Sequence, residues 1–180
     1  MGAYSDILEV MITNRDKDVY TLSTSNKVML IFLRHFGCMS CRATLDDLSK
    51  IRGSIEATGT IIVFVHMAED AIAESYFERY NLSGVQHISD PDMSLYELFG
   101  VARGVGQLYN LKVWKEIAIN TMKYGLAIKK ELGVVRQMPG VIMIKNGEVI
   151  KRIVYENIAA KPNYLEIIND DDPDIEIRIK

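Results

Sequence analysis

Apolar residues along this chain change period several times, and each change marks a different element. Val28-Met29-Leu30-Ile31-Phe32-Leu33 is apolar without interruption, which suits a central strand covered on both faces. From Cys41 the spacing becomes helical. Cys41, Leu45, Leu48, Ile51 or Arg52, and Ile55 follow one stripe, with Arg42, Asp46, Asp47 and Lys50 on the opposite face. This predicts a strand, a tight loop and a helix. Residues 61–65 read as a second buried strand. Glu69 and Asp70 then open a helix whose N-terminal dipole favours negative charge, with Ile72, Tyr76 and Tyr80 as its apolar face.

The flanks carry weaker patterns. Residues 8–12 and 18–22 are β-rich stretches around the polar turn 13–17, and they predict an N-terminal β-hairpin. A short strand is expected over 85–89, holding Gln86 and His87. Asp90-Pro91 then predicts a helix start, Asp as N-cap and Pro at the first helical position, with Leu95, Leu98 and Phe99 inward. Gly104 and Gly106 mark a loop, and periodicity predicts a long helix over 110–132 bearing Trp114, Ile117 and Met122. Residues 141–144 and 149–154 flank Asn146-Gly147, the dipeptide that best favours a tight hairpin turn. A terminal helix over 164–168 and an acidic, poorly ordered end over 169–174 complete the series. The predicted order β-β-β-α-β-α-β-α-α-β-β-α is that of an α/β layered domain, a central mixed sheet flanked by helices. Neither a repeat nor a linker divides it, so residues 1–180 are expected to form a single domain.

Composition narrows the class. With 180 residues, 48% of them hydrophobic and 25% charged, the chain can bury a full core. The formal charge of −3, with Lys and Arg scattered, leaves no electrostatic footprint for nucleic acid or an anionic membrane. Met1-Gly2-Ala3-Tyr4-Ser5-Asp6 lacks the basic start and apolar core of a signal peptide, and Asp6 stands where a myristoylation site wants Ser or Thr. No apolar run approaches the ~18 residues that span a bilayer. A cytoplasmic protein is expected.

Cys38 and Cys41 are the two cysteines of the chain. A bridge across two residues restrains little of the unfolded chain, so stapling explains them poorly. Placed where a buried strand turns into a helix, Cys38 lies near the positive end of the helix dipole and beside unpaired backbone N–H groups. Both features stabilise a thiolate, the species that attacks disulfides or peroxides. Cys41, one helical turn on, can then resolve a mixed disulfide. Arg34, His35 and Arg42 are charges that would lower the thiol pKa further if they point toward it, although as helix-flanking residues the two arginines also suit solvent. A metal reading is weaker: structural zinc wants four ligands, and of the three histidines only His35 lies near the cysteines in sequence. A copper-carrier reading would recruit His35, His66 or His87, each of which alone reads as a strand-end packing or hydrogen-bonding residue. No glycine fingerprint of a nucleotide site follows a strand, so electrons are expected from a partner thiol, with no bound cofactor and no metal.

Several runs carry a resemblance. Met138-Pro139-Gly140 and the following strand, with Lys145-Asn146-Gly147-Glu148, resemble the thioredoxin segment of cis-proline, apolar strand and return strand. FLRHFGCMSCRATLDDLSKI (residues 32–51), ISDPDMSLYELFGV (88–101), RQMPGVIMI (136–144) and AAKPNYLEII (159–168) resemble the peroxiredoxin-like branch of the alkyl hydroperoxide reductase/thiol-specific antioxidant superfamily. That branch often carries G-C-x-x-C-R, matched here by Gly37, Cys38, Cys41 and Arg42. The resemblance implies a thioredoxin-like fold with a helical insertion before the cis-proline strand, and Met138 and Pro139 facing the cysteine pair. Departures are specific. The peroxiredoxin pattern P-x-x-x-T-x-x-C would place Arg34 at proline, Cys38 at threonine and Cys41 at the peroxidatic cysteine. Phe32 occupies the place of the buried thioredoxin aspartate, with no Trp before Cys38 and no Pro before Cys41.

The reading is therefore a thiol–disulfide oxidoreductase in which Cys38 attacks and Cys41 resolves. Its substrate is a disulfide or hydroperoxide, and its electron donor is of thioredoxin or glutathione type. The alternatives are a thiol peroxidase with Cys41 or Cys38 as peroxidatic residue, and a non-enzymatic metal-binding or interaction module. Residues 102–135, long for a minimal thioredoxin, are expected to cover the site or form a homodimer contact.

Overall fold

The computed structural model describes residues 4–101, 137–156, 160–170 and 176–179. Among the described residues six strands build one mixed sheet: β1 (Lys27–Phe32), β2 (Thr60–His66), β3 (Gln86–Ser89), β4 (Gly140–Lys145), β5 (Glu148–Tyr155) and β6 (Glu176–Ile179). Their spatial order is β3-β2-β1-β4-β5-β6. β1, β2 and β3 are parallel, β4 runs antiparallel to both β1 and β5, and β6 is parallel to β5. Around the sheet lie α1 (Ser5–Val10), α2 (Val19–Ser25), α3 (Met39–Ala57), α4 (Asp70–Arg79), α5 (Ser94–Leu98) and α6 (Tyr164–Asn169). Parallel neighbours need crossovers, and α3 and α4 supply them. Among the described residues no helix is long and apolar enough to cross a membrane.

The unbroken apolar run of β1 follows from cover on both sides. Val28, Leu30 and Phe32 pack with Leu8, Met11, Val19, Tyr96 and Phe99. Met29, Ile31 and Leu33 pack on the other face with Leu45, Leu48, Ile55 and Phe77. Each such side chain contributes about 1.5–3 kcal/mol by leaving water. The predicted hairpin also forms. Asn146 (φ 52) and Gly147 (φ 75) both take positive φ, as a two-residue turn of this kind demands. Ser23 of α2 clamps it, accepting from Asn146 N–H on its carbonyl (2.8 Å) and from Gly147 N–H on its hydroxyl (2.9 Å).

Three expectations fail, each for a local reason. The N-terminal segments form α1 and α2, joined by an isolated Ile12–Asp18 bridge, and there is no β-hairpin. Asp18 Oδ1 accepts from Thr21 N–H (2.6 Å), and this N-cap together with the apolar stripe covering β1 outweighs the β-branched content. The helix expected from Pro91 begins at Ser94. Its N-cap is Met93, and Asp90 instead reaches across the intervening turn to accept from Ser94 Oγ (3.0 Å) and Leu95 N–H (2.9 Å). That shift buries Tyr96 and leaves Leu98 exposed. Near the C-terminus, Asp170 pairs with the buried Lys151, and β6 adds an edge strand that was not expected. The long helix over 110–132 and the Gly104–Gly106 loop lie outside the described residues, as does most of the acidic stretch.

Candidate active site

The site begins where β1 stops. Leu33 N–H still donates to Val65 O (2.9 Å), and the Tyr96 hydroxyl reaches Leu33 O (2.5 Å) and Val65 O (3.0 Å). The chain leaves the sheet at Arg34 and turns over His35, Phe36 and Gly37, closed by Cys38 N–H donating to His35 O (2.8 Å). Cys38 is the N-cap of α3, with extended backbone (φ −76, ψ 129), so its sulfur stands at the positive end of a 19-residue helix. It is half-buried, Cys41 in the first turn is buried, and both are free thiols.

Arg34 ties this turn together. Its Nη1 donates to Cys38 Sγ (2.7 Å), its Nε to Gln137 O (2.6 Å), and its backbone N–H to Cys41 Sγ (3.2 Å). One side chain, only 4% exposed, therefore links the Cys38 sulfur to the segment that leads into Met138 and Pro139. Charge-assisted bonds of this kind are stronger than neutral ones.

The two thiols are pushed in opposite directions. The Cys41 thiol, hydrogen-bonded to the Cys38 sulfur, is the main cause holding Cys38 well below the ordinary thiol value; the Arg34 charge, the Cys41 backbone and His35 add to this, against burial. Burial raises Cys41 well above the ordinary value, and the bond to Cys38 and its charge raise it further. These opposite shifts favour the thiolate at Cys38 and the thiol at Cys41. Burial lowers the His35 pKa, opposed by the Cys38 charge.

The remaining predicted residues fall unevenly. Arg34 and Arg42 are buried rather than solvated, because each guanidinium finds a backbone carbonyl, Gln137 O for Arg34 and Phe36 O for Arg42. Arg42 does not belong to the solvent face of α3. Its Nε donates to Phe36 O (2.9 Å), and the group lies 5.6 Å from the Tyr76 ring centre, bracing the loop from behind. Gly37 is buried within the turn. Met138 is buried and Pro139 half-buried, just before Gly140, which pairs with Phe32. No cis peptide bond occurs among the described residues, so the Met138–Pro139 bond is trans, against expectation. A trans bond is favoured by ~0.5–1 kcal/mol before proline and already sets the preceding residue in the extended region a strand entry needs.

A second cluster lies close by. His66 Nε2 and His87 Nδ1 are 2.9 Å apart, both rings are 1% exposed, and His66 Nδ1 donates to Ala68 O (2.9 Å). Burial, with the neighbouring His87, pushes His66 down to about 3. Phe36 separates this pair from the cysteine turn, its ring centre 5.6 Å from that of His66. The pairing was missed because sequence reading treated each histidine singly. The signal was strand register: His87 sits opposite Phe64, two residues before His66 on the same face.

No protein-family model matches the chain. It is 26% identical over 97 residues to a chloroplastic thioredoxin-like protein of Arabidopsis thaliana, covering 54% of this chain and 39% of that protein. It is 31% identical over 91 residues to peroxiredoxin-like 2C of Mus musculus, covering 46% of this chain and 37% of that protein. The matches thus span well under half the length of these relatives. Among solved structures, peroxiredoxin 6 of Arenicola marina superposes with a TM-score of 0.60 at 14% identity, over 89% of this chain and 70% of that one. The fold is the peroxiredoxin-like thioredoxin fold. Within that fold, both sulfurs lie where β1 gives way to α3, Cys38 as the N-cap and Cys41 in the first turn.

Proposed function

We propose that the chain is a thiol–disulfide oxidoreductase in which Cys38 attacks and Cys41 resolves. The observation that carries this reading is the Arg34 guanidinium 2.7 Å from the sulfur of the half-buried Cys38, with Cys41 buried. In the first step the Cys38 thiolate attacks a substrate disulfide and one substrate thiolate leaves. Cys41, losing its proton, then attacks the Cys38 sulfur of the mixed disulfide, and the second substrate thiol departs. The Cys38–Cys41 disulfide returns to the dithiol by exchange with a donor of thioredoxin or glutathione type, which supplies two electrons and two protons. Gly37, His35 and Arg42 shape the turn, and Met138 and Pro139 follow Gln137, whose carbonyl accepts from Arg34 Nε. A cytoplasmic setting, where thiols stay reduced, suits this chemistry.

The test is trapping. Cys41→Ser, incubated with a small aromatic disulfide or an oxidised protein substrate, is expected to accumulate a mixed disulfide at Cys38, read by intact mass. Cys38→Ser is expected to form none. Equal adduct on both variants, or none on either, overturns the assignment.

A second reading, thiol peroxidase, is favoured by the fold and by a cation placed at the thiolate, where it would also polarise a peroxide. In that case Cys38 is the oxidised sulfur, because the burial and raised pKa of Cys41 disfavour it as first nucleophile. Sulfenate trapping on Cys41→Ser after stoichiometric peroxide separates the two readings.

A further inference from the structure

We propose that His66, His87 and Asp70 form a binding site for one divalent ion of the zinc class, distinct from the cysteine pair. His66 ends β2, His87 lies in β3 and Asp70 opens α4, so the site joins three elements. The donor atoms already stand at ligand spacing. His66 Nε2 to His87 Nδ1 is 2.9 Å, His87 Nδ1 to Asp70 Oδ1 is 3.5 Å, and His66 Nε2 to Asp70 Oδ1 is 4.0 Å. Four-coordinate zinc with bonds of about 2.0–2.1 Å separates its ligand atoms by roughly 3.3 Å. The three distances bracket that value. Two imidazoles and one carboxylate with a fourth position open to solvent form a donor set that zinc accepts.

Outer contacts give independent support. A metal-bound histidine needs its remote nitrogen protonated and oriented. His66 meets this, since Nδ1–H donates to Ala68 O (2.9 Å) and leaves Nε2 with a free lone pair. His87 carries the more telling observation. Without an ion, the proton between the rings sits on His87 Nδ1, which leaves Nε2 a bare acceptor. That atom is buried and has no hydrogen-bond partner, a costly state. With an ion on Nδ1 the proton moves to Nε2, which faces Glu74 Oε1 at 3.8 Å. Ion binding would thus turn that buried, unpartnered acceptor into an N–H directed toward a carboxylate. Asp70 is 60% exposed, so the carboxylate side of the site is open to solvent. The ion would knit the ends of β2 and β3 to α4 directly behind Phe36 and the Cys38 turn.

The experiment uses the full chain carrying Cys38→Ser and Cys41→Ser, so that thiols cannot bind the ion, stripped with chelator and titrated with Zn(II) against a chromophoric competitor. One Zn(II) per chain is expected. Co(II) is expected to give the visible bands of a four-coordinate N/O site with no thiolate charge-transfer band. Asp70→Asn, at an exposed position that does not threaten the fold, should weaken Zn(II) at least tenfold, and His87→Gln should abolish stoichiometric binding with the circular dichroism unchanged. Failure of the thiol-free chain to bind Zn(II), or binding that Asp70→Asn leaves unaltered, overturns the proposal.

Discussion

The carboxyl ends of β1 and β2 lie side by side, and the chain uses them differently. At the end of β1 a buried cation, Arg34, meets a sulfur and favours its ionised form. At the end of β2 two buried imidazoles meet each other, and burial lowers the pKa of both. Parallel strands end with carbonyls pointing out of the ladder, so both places offer acceptors and loops. What is added from sequence decides the character of each place: a guanidinium and a helix N-terminus favour a thiolate, whereas imidazoles near a carboxylate make a lone-pair cluster. Phe77 links the two regions, its ring 5.7 Å from Phe36, 6.1 Å from His66 and 5.2 Å from His87.

The comparison breaks most sharply at the sulfur. Cys38→Ser should lower disulfide exchange at least a thousandfold, whereas His87→Gln should leave the pH titration of Cys38 in place; a reactivity profile moved by the histidine change would show that the regions are not separate. Next in size is the shared support. Phe77→Ala should cost about 3–5 kcal/mol in denaturant unfolding and loosen both regions, seen as faster amide exchange at the Cys38 turn and at β3.

Arg34→Met comes third. It should raise the Cys38 pKa by at least about one unit, or ~1.4 kcal/mol, so that iodoacetamide alkylation at pH 6 slows roughly tenfold. The sign extends to stability. A Cys38 pKa depressed in the folded state stabilises the reduced protein above the unfolded thiol value, and this contribution is lost as pH falls through the folded value. Cys41, raised, works oppositely and loses its contribution as pH climbs through the alkaline range. Arg34→Met should therefore flatten the acid-side dependence, and an unchanged slope would count against the ion pair. Smallest is Asp18→Ala, which removes the α2 cap far from either region. It should cost about 1 kcal/mol and move neither the alkylation profile nor Zn(II) affinity.

Much of the framework was legible because its signals are local. The apolar run of β1, the stripe from Cys41 to Ile55 and the Asn146-Gly147 turn each declare themselves within a few residues. Even so, Ala73 and Phe77, not Ile72, Tyr76 and Tyr80, form the fully buried line of α4, a rotation of one position that charge at its N-terminus could not reveal. The cysteine pair was legible for the same local reason, but the burial of Arg34 was not. It depends on the Gln137 carbonyl, more than a hundred positions away in the chain. The histidine pair likewise depends on which residues of β2 and β3 face each other. At the N-terminus β-branched residues pointed to strands, while the Asp18 cap, equally visible in the sequence, was the deciding feature.

The phenol of Tyr96 has a consequence for how abruptly a sheet can stop. Beyond Leu33 no further rung exists, and a dry carbonyl there would draw the chain onward into another pairing. By offering its hydroxyl to Leu33 and Val65, the tyrosine lets two neighbouring strands part within one residue. That fork is what frees one branch to swing toward sulfur and the other toward imidazole.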